Sequence, residues 1–240
     1  MIDRYRRRLW LRGAQTVAVG AAYGAWLLTQ HLLETTRGPV NGFTDHTHEL
    51  LAGINLYLNA HPTLANVILA TSSFEVDLAA VSMVVFFFAR RESRPLLALW
   101  LILIIRQLCQ ASVSIPAPEG MIWHYPGFPT LVVTYSTSSD FFFSGHMALA
   151  TLLATELTAQ GAPPWKQIVA WVVVSAQAVI ILSMRFHYVT DVVAGFLAAV
   201  TATQLAGALG RRLDDRFAPW SSAATYRAGP DPDLLTAEKA

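Results

Sequence analysis

The stretch D-F-F-F-S-G-H-M-A-L-A-T-L-L-A, residues 140–154, sets an acid, a serine and a histidine directly against an apolar run. Ser144 suits a helix N-cap, Gly145 lets the backbone approach a ligand closely, and His146 falls in the first helical turn. Free amides and the positive end of the helix dipole favour an anion there, and a phosphate fits. The run after His146 is therefore expected to be a helix with polar chemistry at its N-terminal end. What surrounds that helix decides the fold.

Composition identifies the solvent. Over 240 residues, 54% are hydrophobic and 14% charged, with a positive mean hydropathy. That balance is foreign to a soluble domain and suits lipid. A net charge of +1 leaves no electrostatic footprint for nucleic acid. The single cysteine, Cys109, excludes an internal disulfide, and its apolar surroundings suit a packed thiol.

Outward from residue 144, six apolar segments of roughly 17 to 26 residues are long enough to cross a hydrocarbon core as helices. They lie near 13–33, 64–89, 96–115, 144–160, 165–184 and 189–209. The expected fold is all-α: a polytopic membrane protein with six transmembrane helices in one domain over 1–217, followed by a disordered tail from 218 to 240. The fourth segment is the weakest by hydropathy, since it carries Glu156 and several threonines. The first follows R-Y-R-R-R-L-W-L-R and reads as an anchor rather than a cleaved signal peptide.

Charge sets the orientation, because short cytoplasmic loops collect Lys and Arg. With both termini cytoplasmic, Arg4, Arg6, Arg7, Arg8, Arg12, Arg90, Arg91, Arg94, Lys166, Arg211, Arg212 and Arg216 all fall inside. Residues 116–143 contain no Lys or Arg. Arg37, Arg106 and Arg185 lie elsewhere, and the last two call for a reason.

The same topology brings a second cluster, S-M-R-F-H-Y-V-T-D (183–191), to the membrane face that carries Ser144. His187 and Asp191 are four apart at a helix start, so the carboxylate is expected beside the ring, fixing its tautomer and stabilising the imidazolium. The other ring nitrogen then becomes a better nucleophile or base. Arg106 falls about 18 Å from the inner end of its helix and Glu75 about 16 Å below the outer surface, depths at which the two can meet. Asp77 points to a different side of the same helix as Glu75, so one of these acids is available to the substrate. A buried network that only fixes helix packing is an equal alternative.

At these residues the chain resembles the type 2 phosphatidic acid phosphatase superfamily, whose membrane members have six helices, an S-G-H motif and a later histidine with an aspartate four residues on. D-F-F-F-S-G-H with H-Y-V-T-D-V-V-A-G-F is most similar to the branch containing sphingomyelin synthases and phosphatidylcholine:diacylglycerol cholinephosphotransferases. In that branch an acid, here Asp140, precedes S-G-H by four. The phosphatase motif K-x6-R-P is absent as written: Arg94-Pro95 has Phe87 where the lysine should be and lies in a cytoplasmic loop, where it reads as a helix start. The resemblance implies that His187 attacks phosphorus, Asp191 orients it and His146 serves as acid and then base. Arg106, Arg185, Ser144 and the amides near Gly145 would bind the phosphate oxygens, with Asp140, Glu75 and Asp77 further candidates for substrate contact.

The implied partners are a membrane phospholipid, a lipid alcohol such as diacylglycerol or a ceramide, and the bilayer itself. The implied site faces the non-cytoplasmic side of a bacterial inner membrane or a eukaryotic endomembrane. Water as acceptor gives a lipid phosphate phosphatase, and a lipid hydroxyl gives a head-group transferase, phosphocholine being one head group. A lipid transporter using Glu75, Asp77 and Arg106 as its pathway is the reading from another class, and it leaves both histidine motifs idle. No cofactor or metal is expected. D-H-T-H-E (45–49) has suitable ligand types, but its spacing matches no tight metal site and its loop is expected to face solvent. His124 reads as a packing residue. Trp123, Tyr125 and Tyr135 read as interfacial aromatics rather than a quaternary-ammonium cage, and Phe141, Phe142 and Phe143 as interfacial anchors.

Overall fold

The computed structural model describes residues 2–36, 45–90, 92–135 and 141–217, near some ends the backbone alone. Asp140, Arg37, Arg91 and the expected tail lie outside the described residues. Helices cover all six apolar segments: α1 (Ile2–Thr36), α4 (Pro62–Arg90), α5 (Arg94–Ser112), α6 (Gly145–Ala159), α7 (Pro164–Ser183) and α8 (Val189–Phe217). Two short helices missing from the sequence expectation, α2 (His46–Leu50) and α3 (Ala52–Ala60), precede α4. Among the described residues there is no strand. Among the described residues four helices, α4, α5, α7 and α8, are long and apolar enough to cross a membrane. They turn large apolar side chains outward, such as Phe74, Leu108, Val172 and Leu197.

Helix α6 is the hub, packed against α4, α7 and α8 and touching α5, which lies chiefly against α8 and α4, with α1 against α5. Ala148, Leu149, Ala150, Thr151, Leu152, Ala154 and Glu156 are all buried. Its weak hydropathy has its cause here, because protein rather than lipid surrounds it and small side chains serve it better than large ones.

Helix α8 reaches this hub through small residues. Ala199, Ala202 and Ala206 are fully buried, and a Cβ on Gly195 would stand 2.5 Å from the Ser144 carbonyl oxygen. Further along, a Cβ on Gly210 would stand 3.2 Å from the Arg94 amide nitrogen.

The two ends of the bundle differ. At one end Asp214 of α8 accepts hydrogen bonds from the Ser93 hydroxyl (2.7 Å) and amide (3.2 Å), capping α5. Beside it Arg94 donates to the buried Glu156 carboxylate at 2.7 Å, which also accepts from Gln160 at 2.8 Å. Arg94-Pro95 does open a helix, and its arginine neutralises the acid that weakened the fourth segment.

The opposite end holds α2, α3 and the chain between α5 and α6. Asp77 accepts the Leu131 and Val132 amides at 2.9 and 3.0 Å, and the Tyr23 hydroxyl donates to the Leu131 carbonyl. The Ser73 and Tyr135 hydroxyls bond to each other. Phe141 and Phe143 are buried in the protein rather than anchored in an interface, because the chain entering α6 passes between α5 and α8. Asp45 and His48 are buried as well, while His46 and Glu49 are exposed, so the D-H-T-H-E segment faces solvent on one side only.

Candidate active site

Helices α6 and α8 both begin at this second end, and their N termini are tied together. The Ser144 amide donates to the Asp191 carbonyl at 3.1 Å. The Ser144 hydroxyl caps α6 by accepting the Met147 amide at 3.3 Å, and Gly145 and His146 form the first turn. In α8, Asp191 is fully buried and its carboxylate reaches back to the Tyr188 amide at 3.0 Å, the reciprocal half of a capping box. Two positive helix ends therefore point to one place.

A cavity of about 60 Å³ lies there, with His146, His187, Arg106 and Gly145 in its wall beside Trp26, Trp123, Phe141 and Phe186. Water needs about 10–15 Å³ by the same measure, so the space is that of a few small polar groups, the size of a phosphate with its oxygens.

His187 donates from Nδ1 to the Phe141 carbonyl at 2.6 Å, while the Asp191 carboxylate lies 3.6 Å from the same nitrogen. The tautomer is therefore set by a main-chain carbonyl, which differs from the expected carboxylate contact. The physical reason is that Asp191 spends one oxygen on the Tyr188 amide. The remaining negative charge stands close enough to stabilise an imidazolium. With Nδ1 carrying the proton, Nε2 carries the lone pair, the form an imidazole needs for attack.

His146 is buried against Trp123 and Phe186, with ring centroids 5.7 and 5.8 Å away. Its Nε2 is buried and has no hydrogen-bond partner among the described residues, a deficit that a substrate oxygen would relieve. Arg106 donates from Nε to the Phe143 carbonyl at 3.3 Å and lies across Gly145, where a Cβ would stand 3.2 Å from that nitrogen. Gly145 thus admits a guanidinium as well as a ligand.

The other expected contacts are not brought to this cavity. Arg185, at φ 58°, donates to the Glu119 carbonyl at 2.6 Å and to the His48 carbonyl at 3.1 Å. It fastens loops instead of facing the phosphate position. Asp77 is spent on the two amides of the 131–132 segment. Glu75 does not pair with Arg106: both its carboxylate oxygens are buried without a hydrogen-bond partner among the described residues. On α4 it adjoins Ser72, whose hydroxyl bonds to Gln177 of α7, so it faces away from α5.

His124 bonds to Asn66 at 3.2 Å and packs its loop. Trp123 lies in the cavity wall rather than at an interface, whereas Tyr125 is exposed. The sequence carried no signal for the Phe141 carbonyl, since any residue type supplies one. For Asp45 and His48 a signal exists, an N-cap aspartate three residues before a histidine, which marks a helix start rather than a metal site.

A family model, AtPDCT1/2, matches residues 44–208, well over half of the chain and all of the site just described except Trp26. Among solved structures, a transmembrane PAP2-type phosphatidylglycerolphosphate phosphatase from Bacillus subtilis aligns with 21% identity, covering 81% of this chain and 87% of that one at a TM-score of 0.40. No curated protein matches. The long apolar helices make the protein an integral membrane protein, and it belongs to the AtPDCT1/2 family, a phosphatidylcholine:diacylglycerol cholinephosphotransferase family.

Proposed function

We propose that the protein moves phosphocholine from phosphatidylcholine to the hydroxyl of a diacylglycerol through a phosphohistidine. One observation carries the reading: an imidazole with a free Nε2, a second imidazole with an unsatisfied buried Nε2 and a guanidinium share one phosphate-sized cavity at two helix N termini. In the first step Nε2 of His187 attacks phosphorus, the bond from phosphorus to the glycerol oxygen breaks, and protonated His146 gives that oxygen its proton. In the second step His146 takes the proton of the acceptor hydroxyl, whose oxygen attacks phosphorus and releases His187.

Arg106 and the amides of the first α6 turn stabilise the charge that builds on the non-bridging oxygens. Asp191 orients His187 and stabilises its imidazolium. Donor and acceptor diacylglycerols are chemically alike, so one site serves both directions and the exchange needs no cofactor. In this reading all six long helices cross the bilayer with the cavity on the non-cytoplasmic face, supported by the arginines and Lys166 gathered at the α4–α5, α6–α7 and α8 ends opposite it.

The test uses purified full-length protein in proteoliposomes containing phosphatidylcholine labelled in its choline and a diacylglycerol with distinguishable chains. Labelled phosphatidylcholine carrying the acceptor's chains is the expected product. Release of inorganic phosphate from phosphatidic acid without head-group exchange would overturn the transferase in favour of a phosphatase.

A further inference from the structure

The backbone of the His187 loop is held from outside the catalytic pair. Nε2 of His48 donates to the carbonyl of His187 itself at 3.0 Å. One oxygen of Asp45 accepts the Val189 amide at 2.6 Å and the other accepts the Thr47 amide at 2.8 Å, so a single carboxylate caps both α8 and α2. The His48 ring also lies on the Tyr188 ring, centroids 5.5 Å apart. Arg185 returns the tie by donating to the His48 carbonyl at 3.1 Å.

From these contacts we infer that Asp45 and His48 are positioning residues for the phosphoryl-transfer step, setting the direction of His187 Nε2 through the peptide frame on either side of Tyr188. The inference rests on His187 being the nucleophile. Its logic is mechanical. The Phe141 carbonyl and Asp191 fix the ring about its Nδ1, but ring direction also depends on where the His187 backbone sits. Local braces act only at Tyr188, whose amide donates to the Asp191 carboxylate and whose carbonyl accepts the Asp191 and Val192 amides, while the His187 carbonyl and the Val189 amide are taken by His48 and Asp45.

Both groups are in the protonation state that this needs. Burial pushes the Asp45 carboxyl up, yet the Val189 and Thr47 amides together hold it below its ordinary value, so it stays an acceptor. Burial holds His48 below the ordinary histidine range, against the pull of the His187 carbonyl and Asp45, so a neutral ring donates from Nε2.

The experiment compares kcat and KM for phosphatidylcholine in His48→Leu, which removes the donor, with His48→Gln, whose amide keeps one at similar reach. His187→Ala serves as the reference, and melting temperature monitors folding. His48→Leu is expected to lower kcat by roughly ten- to a hundredfold, the scale of a misplacement of up to about 1 Å, with KM unchanged. His48→Gln is expected to restore most of the loss. Should His48→Leu not fold, His48→Asn, whose amide falls short of the carbonyl, takes its place.

Equal activity in the donor-free and donor-bearing variants overturns the inference, whether both are impaired or neither is. If His187→Ala retains turnover, the nucleophile reading itself has failed and the inference falls with it. Loss in His187→Ala with none in His48→Leu sinks the inference alone.

Discussion

Gly145 carries a hydrogen where other residues carry a Cβ, and the Arg106 side chain occupies the space this leaves. The nearest contacts of an added Cβ would be Nε at 3.2 Å and Cδ at 3.6 Å, atoms of a long side chain that can move by a few tenths of an ångström. Gly145→Ala is therefore expected to fold with a nearly unchanged melting temperature while turnover falls by about ten- to a hundredfold, because the displaced group is aimed at the phosphate position. Turnover and melting of the same preparation check this together. At this scale much of the site was legible: Ser144, Gly145, His146, His187 and Asp191 announce a capped helix start and a braced imidazole by type and spacing alone. Arg185, Glu75 and Asp77 were misplaced, because an arginine or acid in an apolar chain signals that a partner exists without saying which one. Two of them found main-chain partners, and main-chain groups leave no mark in composition.

Among the elements, α6 and α8 decide whether the site exists. Their contact is set where Gly195 meets the Ser144 carbonyl, an approach that no side chain larger than hydrogen permits. Gly195→Ala has to move backbone rather than a flexible tip. It should destabilise the protein by about 1–3 kcal/mol and abolish most turnover, since the Ser144–His146 turn moves with it. Gly207→Ala on the same helix meets nothing nearer than 3.8 Å and should be neutral or slightly stabilising, so melting curves of the two variants side by side test the argument. Four of the six long helices, α4, α5, α7 and α8, are plain from length and hydropathy. Helix α6 is faint for the reason that makes it central, since a helix enclosed by other helices has no need to satisfy lipid. The short helices α2 and α3 were illegible, because runs of 5 and 9 residues lack the length for a periodic signal.

At the scale of the whole molecule, two polar clusters stand at opposite ends of the described bundle. One end carries the cavity, and the other carries the Arg94–Glu156 pair with the Asp214 cap on α5. Glu156 is fully buried, so Arg94→Met leaves a charge without its counter-ion and should cost about 3–5 kcal/mol. Adding Glu156→Leu should recover most of that loss. Both variants, when folded, should keep the wild-type KM because the pair is remote from the cavity; thermal unfolding in one detergent, with KM on the survivors, decides it. The all-helical, membrane-suited character was readable from composition and hydropathy, whereas the joining of segment 45–49 to residue 187 was not. It is a contact between chain regions nearly 140 residues apart, carried by a backbone carbonyl.

The supports of the site share one trait. His187 leans on the carbonyl of Phe141, Arg106 on that of Phe143, His48 on that of His187, and Arg185 on those of Glu119 and His48. Natural variation should therefore fall unevenly on this protein. An exposed position such as 119 can change its side chain freely while still serving the site, whereas gaining or losing a single residue between 119 and 143 shifts several acceptors at once. Among relatives, equal spacing of that segment should be the better mark of shared chemistry than identity along it.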